Sequence, residues 1–297
     1  MKKNPVSINI DPDAGFCTGV HKAVNTAETL LDRYKTVYCL GNLVHNELEI
    51  SRLKGFGLKI LNLNQLAGLP VNTPVIIRAH GEPPSTYAEA EKLNINLIDA
   101  TCPIVKQLQH KVKRAVEEMA GQPGRIIIYG KPGHPEIVGL MGQADGKAIV
   151  VQSQEEIPDP WLAEPLEVFA QTTANAEAFN QFAVDLKQRA KQCSFEQDQI
   201  NIHHTICRQM KNRKPSIIAF AQAHDVVVFV SGSKSSNGRF LAALALQANP
   251  HTYVVTAATE LTADWFDTAA SIGVSGATST PHWLLQQIAD SVRKMTL

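Results

Sequence analysis

The sequence predicts an α/β fold, and three observations carry that prediction. Short apolar runs alternate with longer segments whose apolar residues recur at helical spacing. Several of these runs are continuously apolar, as in Arg125-Ile126-Ile127-Ile128-Tyr129 and Val226-Val227-Val228-Phe229-Val230, the pattern of parallel strands covered on both faces. One local arrangement also occurs three times: an apolar run, a cysteine a few residues later, then a helical pattern. The segments are Ile8-Asn9-Ile10 leading to Gly15-Phe16-Cys17, Ile95-Asn96-Leu97-Ile98 leading to Thr101-Cys102-Pro103, and Ile200-Asn201-Ile202 leading to Thr205-Ile206-Cys207.

Each element follows from local pattern. After Cys17, the positions Val20, Ala23, Val24, Ala27, Leu30, Leu31 and Tyr34 keep helical spacing. Thr36-Val37-Tyr38-Cys39-Leu40 reads as a strand, with Cys39 a buried, inert thiol. Val75-Ile76-Ile77 is the next strand. After Cys102, the positions Ile104, Val105, Leu108, Val112, Ala115, Val116 and Met119 repeat the helical period. Pro103 fits the first turn, where its missing N–H costs nothing. Strands follow at 125–129 and at Leu166-Glu167-Val168-Phe169. The pattern after Cys207 is weaker because Pro215 interrupts it, so a kink or a helix restart is expected there. Strands at Val226–Val230 and Ser271–Val274 complete the set. The cysteines recur at intervals of roughly 100 residues, a usual domain size. The predicted division is three similar α/β domains, residues 1–101, 102–206 and 207–297. A threefold arrangement of these would point the sulfurs at one centre.

Composition narrows the function classes. The 297 residues are 44% hydrophobic and 19% charged, as in ordinary globular proteins. Lys plus Arg and Asp plus Glu number 28 each, so the formal charge is zero. That gives no global attraction to nucleic acid or to an anionic membrane, and any anion site must be local. Met1-Lys2-Lys3-Asn4-Pro5 contains no apolar leader, and no run approaches about 18 uninterrupted apolar residues, so a cytosolic chain without a membrane span is expected. Five cysteines without a secretion signal argue against a disulfide framework. Cys193 lies in a polar stretch and receives no role.

In open α/β sheets, ligands bind beyond the carboxyl ends of the strands. Here those ends carry His45, His80, the Gly133-His134-Pro135-Glu136 turn, Gln171-Thr172-Thr173, Ser235-Ser236-Asn237 and Thr278-Ser279-Thr280. Imidazoles, hydroxyls, amides and glycine-loop N–H groups suit an oxygen-rich anion, with phosphate or diphosphate the leading candidate. The loop at Gly232 lacks P-loop spacing. Each of Cys17, Cys102 and Cys207 stands at or just before a helix start, where the dipole favours the thiolate, the ligand form. Three thiolates suit a structural zinc poorly, because such a site wants a fourth protein ligand. They suit an iron–sulfur cluster with one iron open to substrate. Single cysteines and histidines are often core or surface residues; the threefold recurrence is what favours a shared centre.

The motifs Gly15-Phe16-Cys17-Thr18-Gly19-Val20, Val44-His45-Asn46, Ala79-His80-Gly81, Asp99-Ala100-Thr101-Cys102-Pro103, Gly133-His134-Pro135-Glu136, Gln171-Thr172-Thr173, Thr205-Ile206-Cys207 and Ser235-Ser236-Asn237 occur in one order. In that order the chain resembles the LytB/IspH family of hydroxymethylbutenyl diphosphate reductases over nearly its whole length. The resemblance implies three α/β domains around a central [4Fe–4S] cluster. It implies reductive loss of the allylic hydroxyl from hydroxymethylbutenyl diphosphate, the last step of the non-mevalonate isoprenoid pathway. By motif, Cys17, Cys102 and Cys207 are the implied cluster ligands. His45, His80, His134, Ser235, Ser236, Asn237 and Ser279 are the implied substrate-binding residues. Glu136 is the implied proton donor, supported by Thr172. Reduced ferredoxin or flavodoxin is the implied electron donor.

The chain departs from the common family pattern in Arg208-Gln209-Met210-Lys211-Asn212-Arg213, where many members carry Ala/Thr-rich residues before the Asn-Arg, and at Ala277-Thr278-Ser279-Thr280-Pro281, where Gly-Ala-Ser-Ala-Pro is commoner. Two rival readings stay open from the residues alone. One is a hydro-lyase that uses an open-iron cluster only as a Lewis acid; the other is a non-enzymatic cluster or zinc protein.

Overall fold

A computed structural model describes residues 6–192 and 199–297. Met1–Pro5 and Cys193 lie outside the described residues. The chain begins with β1 (Ser7–Ile10), α1 (Thr18–Arg33), β2 (Val37–Leu40), α2 (Glu47–Gly55), β3 (Leu58–Leu61), β4 (Pro74–Ile77), α3 (Pro84–Lys92) and β5 (Asn96–Asp99). It continues through α4 (Pro103–Glu118), β6 (Arg125–Tyr129), α5 (Pro135–Gln143), β7 (Ala148–Val151), β8 (Leu166–Ala170), α6 (Ala176–Gln192) and β9 (Ile200–His203). The last third holds α7 (Arg208–Gln222), β10 (Val226–Val230), α8 (Ser236–Ala248), β11 (Thr252–Val255), β12 (Ser271–Gly276) and α9 (His282–Thr296).

The architecture is α/β, with three similar four-stranded sheets in the orders β3-β2-β4-β5, β7-β6-β8-β9 and β1-β12-β10-β11. The pairs β4–β5, β6–β7, β6–β8, β8–β9, β1–β12, β10–β12 and β10–β11 are all parallel. The apolar runs explain the centre of each layer. Every residue of β10 is buried, and Ile126, Ile127 and Ile128 of β6 are fully so. A fully buried Val, Ile or Phe contributes roughly 1.5–3 kcal/mol through transfer alone. Helices bury one stripe each: Ala23, Val24 and Ala27 on α1, and Val105, Leu108, Val112 and Ala115 on α4.

Two compact units emerge, Leu61–Arg208 and Met1–Ile60 together with Gln209–Leu297. Within the second of these, β1 pairs with β12 in the register Ser7↔Ser271 to Ile10↔Val274. Ile8 and Ile10 pack on the cluster that contains Ile272, Leu284 and Ile288. The two ends of the chain thus share one sheet. α7 runs from Arg208 to Gln222 with Pro215 inside it, so of the expected kink or restart the restart does not occur. Burial of Met210, Ile217 and Ala221 offsets the lost backbone bond. Cys39 has no exposure, in keeping with an inert core thiol. Among the described residues, no helix is long and apolar enough to cross a membrane.

Candidate active site

The unit Leu61–Arg208 brings Cys102, His80, His134, Glu136, Thr172 and Cys207 into one chain of contacts. β4 ends in a turn in which the Gly81 N–H donates to the Arg78 carbonyl at 3.1 Å. Gly81 has φ +72, where most side chains are strained, and a Cβ there would push on the Gln109 amide nitrogen at 2.6 Å, so the turn favours glycine. Ala79, beside His80, accepts the Cys102 N–H at 2.9 Å. Asp99 braces the same loop: it accepts the Thr101 N–H at 2.9 Å and its Oδ2 lies 2.6 Å from Lys106 Nζ. Cys102 is the N-cap of α4, and Pro103 takes the first helical position.

His134 occupies the N-cap of α5, followed by Pro135 at the first position. Its Nδ1 accepts the Glu136 N–H at 3.2 Å, which leaves Nε2 to carry the proton of the neutral ring. The His80 and His134 rings meet edge to face, with centroids 5.3 Å apart. Glu136 turns inward and is 1% exposed. The Thr172 N–H donates to its Oε1 at 2.7 Å, and the Thr172 hydroxyl donates to its Oε2 at 2.8 Å. The Thr172 carbonyl in turn accepts the Cys207 N–H at 2.8 Å. Cys207 immediately precedes α7. Gln171 closes the neighbouring turn, where its Oε1 accepts the Lys131 N–H at 3.0 Å.

Burial pushes the Glu136 carboxyl up to about 7 against the pull of the two Thr172 bonds. At neutral pH the carboxyl is therefore poised between its acid and its ionised form and can both hold and release a proton. In the unfolded chain the group ionises near 4.5. Between those values the folded protein keeps a proton that the unfolded chain has lost. Stability therefore falls as pH rises from about 4.5 to about 7, then levels off, at a total cost of roughly 3 kcal/mol. Glu136→Gln should match the parent's stability at pH 4 and exceed it at pH 8 by up to that amount. Thermal melts at the two pH values test this. A difference that does not change with pH removes the raised carboxyl from the account.

The other unit assembles a second group. The Cys17 N–H donates to the Thr278 carbonyl at 3.0 Å, and Cys17 is the N-cap of α1. Asn237 donates from its Nδ2 to the Thr278 hydroxyl. Ser279 Oγ lies 3.3 Å from Ser235 Oγ and 3.4 Å from the carbonyl of His45. Ser235 caps α8 by accepting the Gly238 N–H at 3.0 Å, and Ser236 stands exposed in the first turn, 3.4 Å from Arg239 Nη2. His45, Asn42, Asn46, Glu47, Lys54 and Lys234 border a cavity of about 250 Å³. Burial alone would raise the Glu47 carboxyl. Bonds from Ser233 and the charge of Lys234 outweigh it and hold the group below its ordinary range.

Three residues receive no role from the sequence: Thr278, which holds both Cys17 and Asn237, and the buried pair Asp11 and Arg213. Arg213 is visible in the sequence as the Asn212-Arg213 step after the third cysteine, whereas Asp11 shows only as an aspartate just past a strand. Cys17, Cys102 and Cys207 are all partly exposed at helix starts, whereas Cys39 is sealed inside β2.

Parallel sheets with thiols, imidazoles and a buried carboxyl of raised proton affinity on their end loops define an α/β enzyme. The chain belongs to the LytB family, whose model, described as LytB protein, matches residues 8–293. That family uses an iron–sulfur cluster. Over 290 residues the chain is 42% identical to the 4-hydroxy-3-methylbut-2-enyl diphosphate reductase of Parabacteroides distasonis, covering 98% of each. It is 41% identical to the protein of that name from Bacteroides thetaiotaomicron, over 97% of this chain and 98% of that one. Among solved structures it resembles (E)-4-hydroxy-3-methyl-but-2-enyl diphosphate reductase, the terminal enzyme of the non-mevalonate pathway. That likeness has a TM-score of 0.75 at 33% identity, over 97% of this chain and 99% of that chain. The E-1-hydroxy-2-methyl-but-2-enyl-4-diphosphate reductase of Plasmodium falciparum shares the fold with a TM-score of 0.82 at 24% identity, over 97% and 88% of the two chains.

Proposed function

We propose that this chain catalyses reductive dehydroxylation of 4-hydroxy-3-methylbut-2-enyl diphosphate to isopentenyl and dimethylallyl diphosphates, the last step of the non-mevalonate pathway. The observation that carries the reading is the sealed Glu136 carboxyl, its proton affinity raised by burial to about 7 and its oxygens tied through Thr172 to the Cys207 loop. In the reaction the allylic C–O bond breaks, two electrons and two protons enter, and water leaves. In its acid form Glu136 carries the proton on Oε2 and the Thr172 hydroxyl turns from donor to acceptor as the relay partner, while Oε1 keeps the Thr172 N–H. One proton goes to the departing hydroxyl and one to carbon.

Cys17, Cys102 and Cys207 would hold a [4Fe–4S] cluster. Three accessible thiols at helix starts fit a cluster with one iron unbound by protein and leave a structural zinc one ligand short. When bound, the cluster supplies the electrons and a Lewis-acidic iron. His45, His80, His134, Ser235, Ser236, Asn237 and Ser279 bind and orient the diphosphate, which anchors the small substrate for proton transfer. His45→Asn should raise KM about tenfold with kcat little changed, the signature of lost uniform binding. An unchanged KM in steady-state assays would remove His45 from the diphosphate site.

The proposed domain division is 1–101, 102–206 and 207–297, with β1 completing the sheet of the last domain. The setting is cytosolic, and the electrons come from reduced ferredoxin or flavodoxin. The decisive experiment is anaerobic purification followed by assay with the diphosphate substrate and a chemical reductant. Iron and sulfide at about four each per chain, with turnover only when reductant is present, are expected. Turnover without reductant points to the hydro-lyase instead. A colourless zinc protein ends the case.

A further inference from the structure

Asp11 and Arg213 form a buried ion pair that takes no part in the chemistry above. Asp11 is 2% exposed and Arg213 6%. Arg213 Nη1 donates to Asp11 Oδ2 at 3.0 Å, and the Ser275 hydroxyl donates to the same oxygen at 2.6 Å. Asp11 Oδ1 accepts the Asp13 N–H at 2.9 Å. Arg213 Nη2 lies 3.3 Å from Ser275 Oγ and donates to the Gly276 carbonyl at 3.2 Å. A second layer repeats the link: Arg213 Nη1 reaches Ser216 Oγ at 3.2 Å, and that hydroxyl donates to Asp13 Oδ2 at 2.5 Å.

One guanidinium thus grips the ends of two adjacent strands. Asp11 follows β1 and opens the loop to Cys17; Ser275 and Gly276 end β12 and open the loop that carries Thr278 and Ser279. These loops meet again at the Cys17 N–H bond to the Thr278 carbonyl. Burying two charges is costly, and apolar side chains of like volume often stabilise a core as well. Stability alone therefore does not account for the pair. Its forked geometry fixes directions that apolar packing would leave loose.

We propose that Arg213 is a positioning residue, which through Asp11 and Ser275 sets the Cys17 loop and the Ser279 loop in one fixed relation. The proposal rests on the reading of Cys17 as a cluster ligand and Ser279 as a diphosphate binder. It predicts that cluster environment and substrate affinity change together when the fork is lost, even with the charge kept. Arg213→Lys keeps the cation but not the two-armed reach to Ser275 and Gly276. Asp11→Asn combined with Arg213→Met removes both charges while keeping volume.

The test uses the full-length protein, reconstituted anaerobically. Three readouts are taken: amide hydrogen exchange at Cys17, the EPR spectrum of the reduced cluster, and KM against kcat. For Arg213→Lys, faster exchange at Cys17 with β10 unchanged is expected. A shifted EPR signature and a loss of kcat/KM on the order of 10- to 100-fold should accompany it. The double variant should show the same three changes with a melting temperature near the parent's. Parental exchange, spectrum and KM in Arg213→Lys would overturn the proposal, whether or not the double variant folds. So would uniform loss of protection throughout the sheet, which marks a purely structural role. A parent that binds no iron would instead sink the reading of function, and the exchange at Cys17 would still decide the role of Arg213.

Discussion

Glu136→Gln should lower kcat by about 10²- to 10⁴-fold, the range for loss of a positioned general acid, and leave substrate affinity and cluster content near those of the parent. The substitution is close to isosteric. The carbonyl of the introduced amide would still accept the Thr172 N–H now donated to Oε1, and its NH₂ group could donate to a reversed Thr172 hydroxyl. What disappears is the transferable proton. Under the proposed role the parent needs the acid form, so kcat should fall as pH rises through about 7, the value to which burial pushes the carboxyl. In the variant that limb of the profile should flatten. Single-turnover kinetics with reduced enzyme separates this step from electron delivery and product release. Turnover close to the parent's would place the proton source elsewhere.

Cys102→Ser should abolish activity by removing the cluster, with iron and sulfide per chain falling well below the parent's. Helix formation gives no reason for the protein to unfold. Cys102 makes no side-chain capping bond at the start of α4, and serine is a better N-cap than cysteine. The Cys102 N–H bond to Ala79 involves only backbone and survives. A serine hydroxyl ionises far less readily than a thiol, so it replaces a thiolate ligand poorly. Iron and sulfide analysis alongside circular dichroism distinguishes ligand loss from misfolding. A full cluster in the folded variant would end the assignment of Cys102.

Much of the fold was legible because its signals are local. The β10 run Val226–Val230 reads as a doubly covered strand from five residues alone, and all five are buried. The α1 and α4 stripes follow from spacing, and Pro103 marks a helix start without reference to the rest of the chain. At Pro215 the same local reading left a kink or a restart open, and only the restart is excluded. Its local cost is real, and the cluster that Ile217 and Ala221 of α7 join is completed by Val227, Phe229 and Leu241 of the following strand and helix. In the site, His134 and Glu136 were visible as one short motif. Their separate duties, one capping α5 and the other sealed against Thr172, were not.

From the amino-acid order alone came the α/β class, the parallel strands and the placing of three cysteines at helix starts, since each depends on residues within a turn or two. Tertiary structure alone decided that β1 joins β12 and that Glu136 is dry enough to keep its proton. It also decided that Arg213 spans two strand ends. Strand partnership and desolvation are set by groups that lie far apart along the chain, and no local period encodes them.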